Sequence, residues 1–170
     1  YDASRRLSTY RDQGGGVILE GVHEIDYLRW LSGEVVQIHA SGGHFVGLDL
    51  DGEDTADLFV HFENGHVGEI HLDYLRPLKS RGCEAAAANG VVRWVSEGKQ
   101  PERIRVEHYV PARGAWQELY RNDAYDANEM YVEELRHFVN CLDGKRTPLL
   151  DGEDARRVLE LALEARRQLA

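Results

Sequence analysis

Residues 54–75, DTADLFVHFENGHVGEIHLDYL, hold two runs of alternating apolar and polar residues on either side of Asn64-Gly65. A period of two sends successive side chains to opposite faces of a strand, and Asn-Gly suits a tight hairpin turn. The stretch therefore predicts an antiparallel hairpin. With a two-residue loop, Glu63 pairs with His66, His61 with Gly68 and Phe59 with Ile70. One face then carries Asp57, Phe59, His61, Glu63, His66, Ile70, Leu72 and Tyr74. The other carries Ala56, Leu58, Val60, Phe62, Val67, Glu69, His71, Asp73 and Leu75. Apolar residues fall on both faces, so both need cover. Helices of the same chain are expected on one face, and another domain or a second copy of the chain on the other, with a homodimer as the leading expectation.

β-type patterning returns in VVQIHASGGHFVG (35–47), RIRVEHYV (103–110) and AWQELYR (115–121). GCEAAAANGVVRWV (82–95) contains a second Asn-Gly, but its alanine run leaves strand and helix both open. Helical spacing governs 14–31, stopped by Gly33, and 127–144, ending at Gly144. Residues 151–170 open on acids and close on arginines, as the helix dipole favours. The order of one helix, about six antiparallel strands and two helices gives the α+β class. The expected architecture is an open, mainly antiparallel sheet with helices packed on one face and the other face available for dimerisation. Residues 1–13 read as a connector and 14–170 as one domain. A chain opening on Tyr1 reads as a piece of something longer. Gly14–Gly16 follow no strand and do not form the GxGxxG of a dinucleotide site.

The formal net charge is −10. An acidic surface repels phosphate backbones, which argues against nucleic acid and anionic membranes as partners. No apolar run reaches the roughly 20 residues of a membrane helix, and no signal peptide is visible. Cys83 and Cys141 form no CxxC, so a reducing, cytoplasmic setting is expected. His61, His66 and Glu63 on one hairpin face invite a metal reading. His71 is expected on the opposite face, however, and ligands must converge at about 2 Å on one ion. No metal site is expected.

On a helix over 17–31, Ile18, Val22, Ile25 and Leu28 form an apolar face. Glu20, His23, Tyr27 and Trp30 form a stripe on the far side, within reach of one another along the helix. An imidazole there can exchange a proton with a substrate hydroxyl, and a carboxylate neighbour can orient it. The glycines ahead of it remove side chains, so backbone can approach a ligand and helix-start N–H groups stand free. The plainer alternatives are a histidine on the wet side of an amphipathic helix and a glycine hinge.

GGGVILEGVHEIDYLRWLSGEV, then DTADLFVHFENGHVGEIHLDY, then PLLDGEDARRVLELALEAR resemble, in order, the C-terminal domain of the glucose–fructose oxidoreductase, inositol dehydrogenase and MocA-like family. The resemblance implies an NAD(P)-dependent dehydrogenase of two domains. A preceding Rossmann domain would supply the NAD or NADP site and a catalytic lysine. This domain would supply substrate contacts and the dimer interface. His23 matches the family histidine that acts as acid/base or substrate anchor, and Asp26 the acid of HxxD, read as structural. Glu20 falls where many members have aspartate, but at a spacing of three from His23 instead of four. The implied assignments are His23 catalytic; Glu20, His23 and Tyr27 substrate-binding; Gly15 and Gly16 cofactor-binding. Lys79, Lys99 and Lys145 lie in no family motif, so the chain alone is expected not to transfer hydride. The expected function is the substrate-binding and dimerisation domain of an oxidoreductase of a sugar, polyol or cyclitol. The alternatives are a non-catalytic homo-oligomerisation module and a metal-dependent lyase or isomerase.

Overall fold

A computed structural model describes residues 10, 14–45, 50–98 and 101–169. Apart from Tyr10, the expected connector over 1–13 lies outside them, as does Lys99. The chain divides into two compact units, Tyr1–Arg76 with Leu150–Ala170, and Pro77–Leu149.

The first unit holds helices α1 (Val17–Glu20) and α2 (Val22–Ser32), strands β1 (Val35–Gly43), β2 (Thr55–Phe62) and β3 (Val67–Asp73), and the helix here called α4 (Gly152–Arg167). The strands form an antiparallel sheet in the order β1-β2-β3. Its inner face meets the three helices. Ile18, Ile25, Leu58 and Val60 are almost fully buried, and Val158, Leu161, Ala162 and Ala165 of α4 complete the core. Helix α4 starts on a capping box. The Asp151 side chain accepts the Glu153 and Asp154 amides, and Asp154 returns a bond to the Asp151 N–H.

The second unit is a four-stranded antiparallel meander followed by a helix. Its strands are β4 (Ser80–Ala87), β5 (Gly90–Glu97), β6 (Glu102–Val110) and β7 (Ala115–Tyr125), and α3 spans Asn128–Leu142. The alanine run is strand, paired along β5 from Ala87↔Gly90 to Ser80↔Glu97. Buried Glu102 is held by Lys79 and by the Ser96 hydroxyl at 2.6 Å, and the Lys79 bond keeps its carboxyl below the usual range. Cys83 and Cys141 are free thiols. The α+β class and the open antiparallel architecture are as the sequence predicts. The strands number seven among the described residues and divide into two sheets. The division falls after β3, where Asp73 accepts the Leu75 and Arg76 amides at 2.9 and 3.0 Å and turns the chain ahead of Pro77.

The hairpin register corrects the sequence reading by one residue. Leu58 pairs with Ile70, Phe59 with Glu69, Val60 with Gly68 and His61 with Val67. The loop has three residues. Phe62 N–H donates to the His66 carbonyl, and Gly65 N–H donates to the Phe62 carbonyl, both at 3.0 Å. Gly65 sits at φ 84, the left-handed position that such a loop requires. A one-residue slip moves every side chain of one strand to the other face. Ala56, Leu58, Val60, Phe62, Ile70 and Leu72 therefore all point into the core. Asp57, Phe59, His61, Val67, Glu69 and His71 share the exposed face. His71 thus lies on the side of His61, not opposite it. The inner face carries the continuous apolar pattern, while Phe59 and Val67 stay exposed on the outer one.

On that outer face His71 Nδ1 lies 2.6 Å from Asp57 and Nε2 lies 2.9 Å from Asp73. Only an imidazolium can donate from both nitrogens. The bond to Asp57, seconded by Asp73, raises the His71 pKa above its ordinary 6.5. The folded state thus favours the protonated ring. Its stabilisation is complete below about pH 6.5 and is lost as pH rises through the elevated folded value. The stability difference between wild type and His71→Gln, read from urea midpoints, should be largest near about pH 6 and shrink towards about pH 9. A difference independent of pH would contradict the clamp.

Candidate functional site

The site is built on the junction of the glycine run with α1 and α2. The Val17 amide donates to the Glu53 carbonyl at 2.9 Å, and the Ile18 amide donates to Glu53 Oε1 at 3.3 Å. Arg166 of α4 stands with Nε 3.6 Å from Glu53 Oε2 and donates from Nη2 to the Gly15 carbonyl at 2.8 Å. Gly15 donates to the Tyr10 carbonyl at 2.8 Å. Gly15 and Gly16 are buried. Gly16 has φ 119, and a Cβ there would fall 2.3–2.7 Å from the Glu53 carboxyl atoms. The glycine run is thus packed against a buried carboxylate. The helix-start amides of Val17 and Ile18, expected to stand free, are taken by Glu53.

The single helix expected over 17–31 is interrupted at Gly21. Gly21 donates to the Val17 carbonyl at 2.8 Å, and Glu24 donates back to the Gly21 carbonyl at 3.0 Å. A Cβ at Gly21 would stand 2.7 and 2.9 Å from the Leu72 methyls. The chain therefore closes on β3 at this point and restarts as α2. Ile25 is buried, and Val22 and Leu28 pack on the core, as the predicted apolar face requires. His23 is exposed in the first turn of α2, and Tyr27 is half-buried one turn on. Trp30 stands at 77% exposure. Glu20, half-buried, ends α1 across the interruption. Among the described residues no hydrogen bond or ion pair joins it to His23. His23, Tyr27 and Trp30 stand at helical spacing within α2, and Glu20 belongs to α1, across the break at Gly21.

The far end of α2 is tied down. Arg29 pairs with Glu34 at 2.5 Å and with Asp154 at 3.1 Å. The bond from Arg29 holds the Glu34 carboxyl below the usual carboxylate range. Asn64 Nδ2 donates to the Ser32 carbonyl at 2.6 Å, so the hairpin loop caps the helix end. Fully buried Asp54 accepts the Phe45 amide on both oxygens, at 3.1 and 3.0 Å. Sequence reading missed Glu53, Asp54 and Arg166. The signal present is DGED at 51–54, which recurs at 151–154 where it caps α4. Among the described residues, no three His, Cys, Asp or Glu side chains come together for a metal. His61 lies on the outer sheet face and Glu63 in the loop, so the two do not converge with His66. No helix among them is long and apolar enough to cross a membrane.

Fold and site together define an α+β domain with a helix-borne imidazole presented at the surface of its first unit. The sequence matches the model of the GFO/IDH/MocA C-terminal domain over residues 1–93, more than half of its length, and the chain belongs to this family. It is 22% identical over 176 residues to scyllo-inositol 2-dehydrogenase (NAD(+)) of Bacillus subtilis, covering 91% of this chain and 48% of that protein. Biliverdin reductase from Synechocystis, solved with biliverdin and NADP+, shares the fold at TM-score 0.76 and 14% identity, over 97% of this chain and 50% of that one. The WlbA dehydrogenase from Bordetella pertussis, solved with NADH and UDP-GlcNAcA, does so at TM-score 0.73 and 19% identity, over 99% and 49%. The chain spans about half the length of these relatives.

Removing Arg166 leaves the buried Glu53 carboxylate without its ion-pair partner. Arg166→Met should lower folding stability by about 3 kcal/mol in urea titration. A loss below about 1 kcal/mol would place the anchor elsewhere.

Proposed function

We propose that this chain is the substrate-binding and dimerisation domain of an NAD(P)-dependent oxidoreductase of a sugar, polyol or cyclitol, working in the cytoplasm. The observation that carries the proposal is the exposed ring of His23, on a helix whose opposite face is fixed in the core; the resemblance implies that this is the family's acid/base histidine. The relatives' names supply the chemistry: one dehydrogenates an inositol, and one is a dehydrogenase solved with NADH and a nucleotide sugar.

The described residues form no dinucleotide cradle. No glycine-rich turn leads from a strand into a helix, and the first amides of α1 serve Glu53. The buried Gly15 and Gly16 support a packing role better than a cofactor contact, and in this reading the dinucleotide belongs to a preceding Rossmann lobe, as the resemblance implies. Hydride chemistry belongs to that group. This chain supplies proton transfer: His23 accepts the substrate hydroxyl proton in the oxidising direction and returns it in the reducing one. Tyr27, a turn away, offers a phenol to a neighbouring hydroxyl, and Glu20 borders the site.

In the full-length gene product, His23→Ala should lower kcat by about 10²–10⁴-fold. Because the ring is exposed, folding stability should shift by no more than about 0.5 kcal/mol. Undiminished turnover would remove His23 from the mechanism.

We further propose that the outer face of β1-β2-β3 carries self-association. Phe59 at its centre is 57% exposed and Val67 beside it 70%. Sedimentation should give a dimer, and Phe59→Glu should shift it to monomer. A wild-type monomer at high micromolar concentration would refute this.

A further inference from the structure

Gly21 is a glycine that its own backbone does not require. Its φ of −88 and ψ of 16 are open to residues with a Cβ. What the position needs is room. A Cβ there would stand 2.7 and 2.9 Å from the two Leu72 methyls and 2.9 Å from the Val17 carbonyl. Carbon atoms settle at about 3.5–4.0 Å from one another, so one added methyl group has to open this contact by about 1 Å.

The packing decides which side gives way. Leu72 is buried in β3 and laddered to Ala56, which is itself fully buried. Val17 is buried, with its amide bonded to the Glu53 carbonyl. The far end of α2 is fastened, Arg29 to Glu34 and Asp154, and Ser32 to Asn64. An opening at Gly21 therefore tilts α2 about its fastened end, and the shift is greatest in the first turn. His23 sits in that turn, two residues after Gly21. Tyr27, further along, moves less.

We propose that Gly21 and Leu72 are positioning residues: their close contact seats the first turn of α2 on β3 and thereby sets where the His23 ring meets the substrate hydroxyl. The inference rests on the reading of His23 as the proton-transfer residue and adds what places that ring. A misplacement of about 1 Å is enough to cost proton transfer about 10²-fold, although neither residue touches the substrate.

The test uses the full-length gene product with NAD+ and NADP+ on myo-inositol, D-glucose and UDP-N-acetylglucosamine, following whichever is oxidised fastest. Gly21→Ala should lower kcat about 10²-fold and leave KM within about 2-fold. In a His23→Ala background the same substitution should cost no more than about 2-fold, because no ring is left to misplace. Adding Leu72→Ala to Gly21→Ala removes the methyls that the new Cβ meets and should recover about 10-fold of the lost kcat. If Gly21→Ala does not fold, Leu72→Ile, which moves one methyl group on the other side of the same contact, carries the comparison in both backgrounds. Unchanged kcat, an equal loss with and without His23, or no recovery on adding Leu72→Ala would overturn the positioning role while leaving His23 in place. Full turnover in His23→Ala, or none by wild type on any of the three compounds, would take the positioning role and the proposed function down together.

Discussion

The Glu53 carboxylate is the joint on which the first unit turns. It lies between the glycine run, the start of α1 and Arg166 near the end of α4. Arg166 lies 151 residues from Gly15 in sequence, yet both meet at one buried acid. A carboxylate can be buried this deeply only where charge and N–H donors surround it. Here the donor is the Ile18 amide, one that a helix start leaves over, so one contact satisfies the acid and the helix together. Gly16 belongs to the same joint, because any side chain there would occupy the carboxylate's place.

From that joint the position of α2 follows. Gly21 lets the chain close onto Leu72, Ile25 enters the core, and Arg29 and Ser32 are fastened at the far end. A helix held at both ends and along its inner face has no freedom to roll. The outer stripe of His23, Tyr27 and Trp30 is thereby presented in fixed order. Rigidity of this kind is what proton transfer needs, since a small misplacement of the acid/base group removes much of its effect.

Much of this was legible in the residues, and what was not has physical causes. Period-two and helical spacing located the hairpin, α2, α3 and α4, because hydrophobic patterning is set by which face must be buried. The hairpin register was not legible. Asn64-Gly65 serves equally as the centre of a two-residue turn and as the end of a three-residue loop with glycine left-handed. The choice between them was decided by burying Ile70 and Leu72 opposite Leu58 and Ala56. Gly21 leaves no room for a Cβ against Leu72 of β3, and no local pattern reports that contact. Glu53, in an acidic stretch, reads as solvated until Arg166 is brought beside it. The alanines of β4, ambiguous alone, are decided by their ladder to β5.

The chain's histidines make the same point about chemistry. His71 is clamped between Asp57 and Asp73, His44 lies 3.5 Å from Asp54, and His137 accepts the Leu149 amide beside the Cys141 thiol. His39 and His61 face each other edge-on at 6.4 Å across the outer sheet. A ring bound to two carboxylates is poor at giving its proton away, because both partners favour the charged form. An acid/base group has to be available to substrate on a support that does not move. His23 meets both conditions: its ring is exposed, and its helix is pinned by Ile25, Arg29 and Ser32. His66, also exposed, sits at a loop edge instead of on a packed helix. Support, more than exposure, is what favours residue 23 for the proposed proton transfer.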